Sequence, residues 1–155
     1  MNESDVKIAD AYRVRRAAPA DVDGMLAVER ASFSEPWSEI LLRDCFNDTT
    51  DVLVLVAEGV IGGFCIVDRA LGDEAELQNI ALLPSLRGQG LSHLLLKAAL
   101  KEAKARGVTR VMLEVRVSNA AARALYRHWG FETVGRRPRY YRHPTEDAVL
   151  MDVHL

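Results

Sequence analysis

Arg87-Gly88-Gln89-Gly90-Leu91-Ser92 sets an arginine and two glycines between an apolar run and a long helical repeat. Glycines at a strand-to-helix turn let backbone N–H groups converge on an anion, and the helix dipole adds positive potential. The chemistry indicated is the holding of a phosphate group. A nucleoside-triphosphate loop is excluded, because no lysine follows Gly90 until Lys97. A dinucleotide fingerprint finds two of its glycines in Gly88 and Gly90 but meets His93 where the third should allow close helix packing. Glu114 lies roughly where a ribose-binding carboxylate would be sought, yet its strand runs on past it as VRV. A plain glycine-rich turn fits the motif, taken alone, as well as a phosphate site does.

Two other residues are of types that move protons. In VMLEVRV, strand alternation sets Val111, Leu113, Val115 and Val117 on one face and Met112, Glu114 and Arg116 on the other. By itself Glu114 reads as a solvated charge on an open sheet face. Tyr126, near the end of NAAARALY, reads equally as a half-buried packing residue. His93, His128, His143 and His154 show no metal-ligand spacing, and Cys45 and Cys65 form neither a disulfide framework nor a zinc pattern, so no metal is expected.

The elements that must position these groups follow from periodicity and punctuation. Tyr12 to Ala17 reads as a short strand. Pro19 opens a helix with Val22, Met25, Leu26 and Phe33 at helical spacing, and Ser34 is expected to cap a second one containing Pro36, Ile40, Leu41 and Phe46. Residues 52–58 and 61–68 form a hairpin around Gly59, and 75–83 a strand ended by Pro84. The helix after the glycine turn runs to about Arg106 and stops at Gly107. Residues 108–117 form a strand, Ser118 is expected to cap a helix to about Trp129, and Gly130 ends it. Residues 131–137 and 148–153 close the chain as a hairpin around RPRYYRHPTED. The order β–α–α–β–β–β–α–β–α–β–β predicts a mixed α/β sheet with helices and a single βαβ crossover.

The 155 residues, 49% hydrophobic and 27% charged, suit one domain over 1–155, with 1–10 a loose N-terminal segment. A net charge of -2 gives no general reason to expect nucleic acid or an anionic membrane as partner. The start MNESDVKIAD lacks a signal-peptide core, and glycines and Glu58 interrupt the most apolar stretch, 52–67. A cytoplasmic protein is expected.

Arg87 to Ser92 also matches R-x-x-G-x-[GA], the pyrophosphate loop of the GCN5-related N-acetyltransferases, except that Ser92 replaces glycine or alanine. With LQNIALLPSLRGQGLS before it and VTRVMLEVRVSNAAARALYRHWGF after it, the chain resembles the RimI-type branch of that superfamily, the ribosomal-protein alanine N-acetyltransferases. ERASFSEPWS, GRRPRYY and EDAVLM extend the resemblance over most of the chain after Tyr12. It implies a mostly antiparallel sheet with a splayed strand pair that holds acetyl-coenzyme A, the expected co-substrate.

By the same resemblance, the amides from Gly88 through Gln89, Gly90, Leu91 and Ser92 to His93, with Arg87, hold the pyrophosphate. Ile80, Ala81 and Leu82 pair with the pantetheine arm, an amide there, that of Leu82, faces the thioester oxygen, and Asn119 touches the coenzyme. Glu114 becomes the general base and Tyr126 the acid at the departing thiolate. Phe33, Trp37, Tyr140 and Tyr141 flank the acceptor, with core packing and loop surface as their alternative readings. The acceptor implied is a protein N-terminus, the alanine of small-subunit ribosomal protein eighteen. A different N-terminus, a lysine side chain, a small amine, or a non-catalytic acyl-coenzyme A sensor are the rival readings. The Arg136, Arg137, Arg139 and Arg142 cluster is no firm sign of nucleic acid in a net-acidic chain.

Overall fold

The computed structural model describes residues 11–155, so the expected loose segment 1–10 lies outside the described residues. Strands β1 (Arg13–Arg16), β2 (Thr50–Ala57), β3 (Val60–Leu71), β4 (Glu74–Leu82), β5 (Arg110–Arg116), β6 (Glu132–Tyr141) and β7 (Glu146–His154) form one sheet in the order β1-β2-β3-β4-β5-β7-β6. Only β4 and β5 are parallel neighbours. The helices are α1 (Val22–Ser32), α2 (Glu39–Asp44), α3 (Leu91–Ala105) and α4 (Ala120–His128). The element order is the one expected from periodicity.

Around β2 and β3 the sheet buries both faces, and the period of two decides which residue serves which. Leu53, Leu55, Cys65 and Val67 pack with Leu95, Leu96, Ala99 and Ala103 of α3. Their neighbours Val52, Val54, Phe64 and Ile66 pack with Met25, Val28 and Leu42 of α1 and α2. The α3 residues recur at helical spacing, so one stripe of that helix meets the sheet. At about 1.5–3 kcal/mol for each fully buried aliphatic side chain, this stripe holds the start of α3, and so the glycine turn, against β3 and β4.

Two helix starts differ from expectation. Ser38, not Ser34, caps α2, its hydroxyl accepting from the Leu41 amide at 3.2 Å, and residues 33–38 are a loop. Asn119, not Ser118, caps α4, accepting from the Ala122 amide at 3.1 Å. In both places two good capping residues compete, and a carboxylate from another element decides between them. Glu29 takes the Trp37 amide at 2.7 Å, and Glu146 takes the Ser118 amide. The final hairpin is also tighter than expected, with β6 running to Tyr141.

Candidate active site

The parallel ladder between β4 and β5 is short: Glu74 pairs with Arg110, Ala75 with Val111 and Glu76 with Met112, and there it ends. A bulge in β4 coincides with the parting, because Ile66 pairs with Asn79 while Val67 pairs with Leu77, leaving Gln78 as the extra residue. A bulge bends its strand and sharpens the twist, which carries the end of β4 away from β5. β5 stays straight because β7 pairs it through Arg116. Between the diverging strands lies a cleft of about 580 Å³.

The open edge of β4 has a definite polarity. Leu83 donates its amide to the Gly62 carbonyl at 2.8 Å, so by alternation the backbone of Ala81 faces β3 and those of Ile80 and Leu82 face the cleft. The Leu82 carbonyl already accepts from Ser32 Oγ at 3.2 Å and Arg87 Nη2 at 3.3 Å. Its amide is left pointing into the cleft. Ile80, Ala81 and Leu82 all line the same space.

Gly88 and Gly90 both have φ of 78°, and a Cβ on either would meet nothing within 4 Å. Glycine is needed here for the left-handed backbone, and the space above the turn is open. The Leu91 and Ser92 amides open α3 and have no partner within the helix. Arg87, Gly88 and Ser92 line the cleft, while the Leu91 side chain is buried in the core. Gln89 folds back, its Nε2 donating to the Ser85 carbonyl at 3.2 Å. His93 is placed differently: its amide donates to the Gly90 carbonyl at 3.2 Å and its Nδ1 accepts from Trp129 Nε1 at 2.9 Å. The amides free to meet an anion are therefore those from Gly88 to Ser92.

Glu114 stands on the wall opposite. Val111, Leu113 and Val115 are buried and Met112, Glu114 and Arg116 half-buried, the alternation expected. Arg137 Nε lies 3.4 Å from the Glu114 carboxylate. Hydrogen bonding toward that carboxylate holds the Tyr140 hydroxyl above the usual phenol range. Glu114 is thus an oriented carboxylate in the cleft rather than a loose surface charge.

Tyr126 lines the cleft from the last turn of α4 and is 6% exposed. Gly130, at φ 91°, ends that helix so that the Phe131 amide returns to the Tyr126 carbonyl at 3.0 Å and the Gly130 amide to Arg127 at 3.0 Å. The Tyr126 and Phe131 rings meet at 5.6 Å across the same cap. Burial pushes the phenol well above its ordinary value, so it is a proton donor throughout the neutral range. Asn119 lines the cleft too while capping α4.

Phe33, Trp37 and Tyr141 also line the cleft, with Phe33 42% exposed and Trp37 packed on the α1 side of the core. Tyr140, 48% exposed, lies outside the lining and touches Tyr141 edge-on at 5.1 Å. Burial pushes Tyr141 up to about 12. Arg116 holds its ring, 4.5 Å from the guanidinium, and fixes the adjoining turn through the Arg142 and Pro144 carbonyls at 3.1 Å each. The residues that sequence reasoning missed are Arg116 and Glu29. Glu29 carried a signal: it continues the Val22, Met25, Leu26 spacing, so a carboxylate sits on the buried stripe of α1. Among the described residues no group of His, Cys, Asp and Glu is arranged to hold a metal, and no helix is long and apolar enough to cross a membrane.

The chain is similar to known proteins. The acetyltransferase (GNAT) family model matches residues 22–131. The [ribosomal protein bS18]-alanine N-acetyltransferase of Escherichia coli (strain K12) is 38% identical over 135 residues, 84% of this chain and 89% of that protein. The Haemophilus influenzae enzyme of the same name is 38% identical over 138 residues, covering 87% of this chain and 93% of its own. The crystal structure of the Escherichia coli ribosomal-protein-S18-alanine N-acetyltransferase superposes with a TM-score of 0.87 at 34% identity, over 92% of this chain and 93% of the other.

Proposed function

The chain belongs to the acetyltransferase (GNAT) family and is an acetyltransferase; on that premise we propose that it moves an acetyl group from acetyl-coenzyme A to the N-terminal alanine of the small-subunit ribosomal protein bS18. The observation that carries the reading is the convergence on one cleft of an open strand edge, a glycine turn with free amides, an oriented carboxylate and a buried phenol. The relatives named for bS18-alanine acetylation, alike over most of both chains, supply the acceptor. Such a reaction belongs in the cytoplasm.

The residues fit the coenzyme. The amides from Gly88 to Ser92, at the positive end of α3 and with open space above both glycines, suit a diphosphate, with Arg87 beside them. The backbone edge at Ile80 and Leu82 suits the amide-rich pantetheine arm, with Asn119 facing it across the cleft. The coenzyme supplies an activated acyl thioester; the protein does the rest. The Leu82 amide, the last free donor of that edge, stabilises charge on the thioester oxygen. Glu114 takes a proton from the acceptor ammonium, whose ordinary pKa of about 7.7–8.0 makes this easier than for lysine at roughly 10.4. The amine nitrogen bonds to the acetyl carbon, the carbon–sulfur bond breaks, and Tyr126 gives its proton to the departing thiolate. The second proton shed by the nitrogen as it becomes an amide returns the Tyr126 phenolate to its neutral form, while Glu114 releases its proton to solvent. Phe33, Trp37, Tyr140 and Tyr141 flank the acceptor.

Free-thiol release from acetyl-coenzyme A tests the assignment. A peptide with an N-terminal alanine should support turnover, while the same peptide blocked at its N-terminus and one offering only a lysine should not. Turnover on the lysine peptide alone would move the acceptor elsewhere, and tight coenzyme binding without turnover would make the protein a sensor. Gly90→Ala should weaken coenzyme A about tenfold in calorimetry, because a Cβ costs about 1–2 kcal/mol in the left-handed region and intrudes on the diphosphate space. Unchanged affinity would remove the turn from the site.

A further inference from the structure

Glu29 is 1% exposed on the buried stripe of α1, among Val22, Met25, Leu26 and Val28. Burying a carboxylate is costly, and an apolar residue would pack there without that cost. Both oxygens are matched to donors from two separate elements. Oε1 accepts from Asn79 Nδ2 at 2.8 Å, and Oε2 accepts from the Trp37 backbone amide at 2.7 Å. Asn79 directly follows the extra residue of the β4 bulge and precedes the open edge at Ile80. Trp37 belongs to the 33–38 loop, which forms the other side of the cleft with Phe33. One turn further along α1, Ser32 grips the far end of the same edge through the Leu82 carbonyl.

We propose that Glu29 is a positioning residue: its carboxylate couples the acceptor-side loop to the bulged strand, setting the distance between the incoming amine and the edge that holds the thioester. The inference rests on the acetyl-transfer reading for its kinetic consequence, but not for the coupling itself. Its chemistry is that of a two-sided acceptor. A carboxylate, with two accepting atoms and no donor, satisfies a backbone N–H and an amide NH₂ at once. The Trp37 amide has to be paired because a buried backbone donor without a partner is destabilising.

Glu29→Leu tests this by removing both accepting atoms at similar size. The Trp37 amide and Asn79 Nδ2 then lose their shared partner. Glu29→Gln is the conservative comparison: its oxygen accepts from the Trp37 amide, and its NH₂ donates to Asn79 Oδ1 once the Asn79 amide turns over. In hydrogen-exchange mass spectrometry, E29L should raise exchange in both 33–38 and 78–82 by about tenfold or more, the scale of losing one charge-assisted hydrogen bond, and E29Q should stay within about threefold of wild type in both. In turnover, E29L should raise the KM for an alanine-starting peptide about tenfold while coenzyme A affinity stays within about twofold, and E29Q should keep a KM within about threefold of wild type.

In E29L, exchange rising in only one segment would overturn the coupling, as would an E29Q protein exchanging as fast as E29L in both. So would a wild-type peptide KM in an E29L protein whose two segments exchange faster. If E29L fails to fold, Asn79→Ala decides: it cuts the link at one end, so faster exchange in 33–38 as well as 78–82 supports the coupling, and a rise confined to 78–82 overturns it. A wild-type protein that acetylates no N-terminus defeats the acceptor assignment instead, and the exchange comparison still decides the coupling.

Discussion

Glu114→Gln is expected to lower kcat with an alanine-starting peptide by about 10²–10³-fold, within the range typical of a positioned general base. The amide keeps the size of the side chain, and Arg137 still lies beside it, so the cleft should hold its shape. Coenzyme A binding by calorimetry should be unchanged, because Glu114 stands on β5, across the cleft from the glycine turn and the β4 edge. The loss should fall on kcat and kcat/KM alike, the signature of an interaction made in the transition state. It should shrink as pH rises and the acceptor amine sheds its own proton near pH 8, roughly its ordinary pKa. A variant within about twofold of wild type across that range would return Glu114 to the ordinary role of a charge on a sheet face.

Tyr126→Phe should slow turnover by about 10²-fold, the lower end for a general acid, with coenzyme affinity preserved. Packing alone would give a different pattern. The ring rests on Phe131 and the backbone closes the α4 cap through Gly130, and phenylalanine retains both. The melting temperature should therefore change little while kcat falls. The wild-type pH profile carries a second expectation. Burial raises the phenol pKa, so the protonated, acid-competent form persists upward in pH, and kcat should show no alkaline fall before about pH 10, the ordinary phenol value. Wild-type turnover in Tyr126→Phe would make the residue part of the core and leave the thiolate to be protonated by water.

The two variants are distinguishable from each other by leaving-group dependence. An acyl donor with a more acidic thiol needs less help in departing, so it should partly rescue Tyr126→Phe and leave Glu114→Gln as slow as before.

The order of elements, the glycine stops at Gly107 and Gly130, the Glu114 alternation and the anion-suited turn were all legible in the chain, because each depends on residues within a few positions of one another. The resemblance to acetyltransferases added roles that side chains alone do not state, since the groups proposed to hold the coenzyme are largely backbone amides. Where local signals tied, the sequence was silent. Ser34 and Ser38, or Ser118 and Asn119, are comparable caps, and the choice fell to Glu29 and Glu146, carboxylates of other elements whose approach no local pattern announces.

Local pattern determined which residues form strands and helices and which face each presents. The tertiary structure alone decided that β4 and β5 part after Glu76, that Ala81 turns its backbone to β3 while Leu82 offers its amide to the cleft, and that His93 turns toward Trp129. It also decided that a glutamate on an apolar stripe joins two walls of the site. The physical reason is common to all four. A bulge, a ladder's end and a buried charge's partners are fixed by how segments dozens of residues apart meet, and neither period nor propensity carries that information.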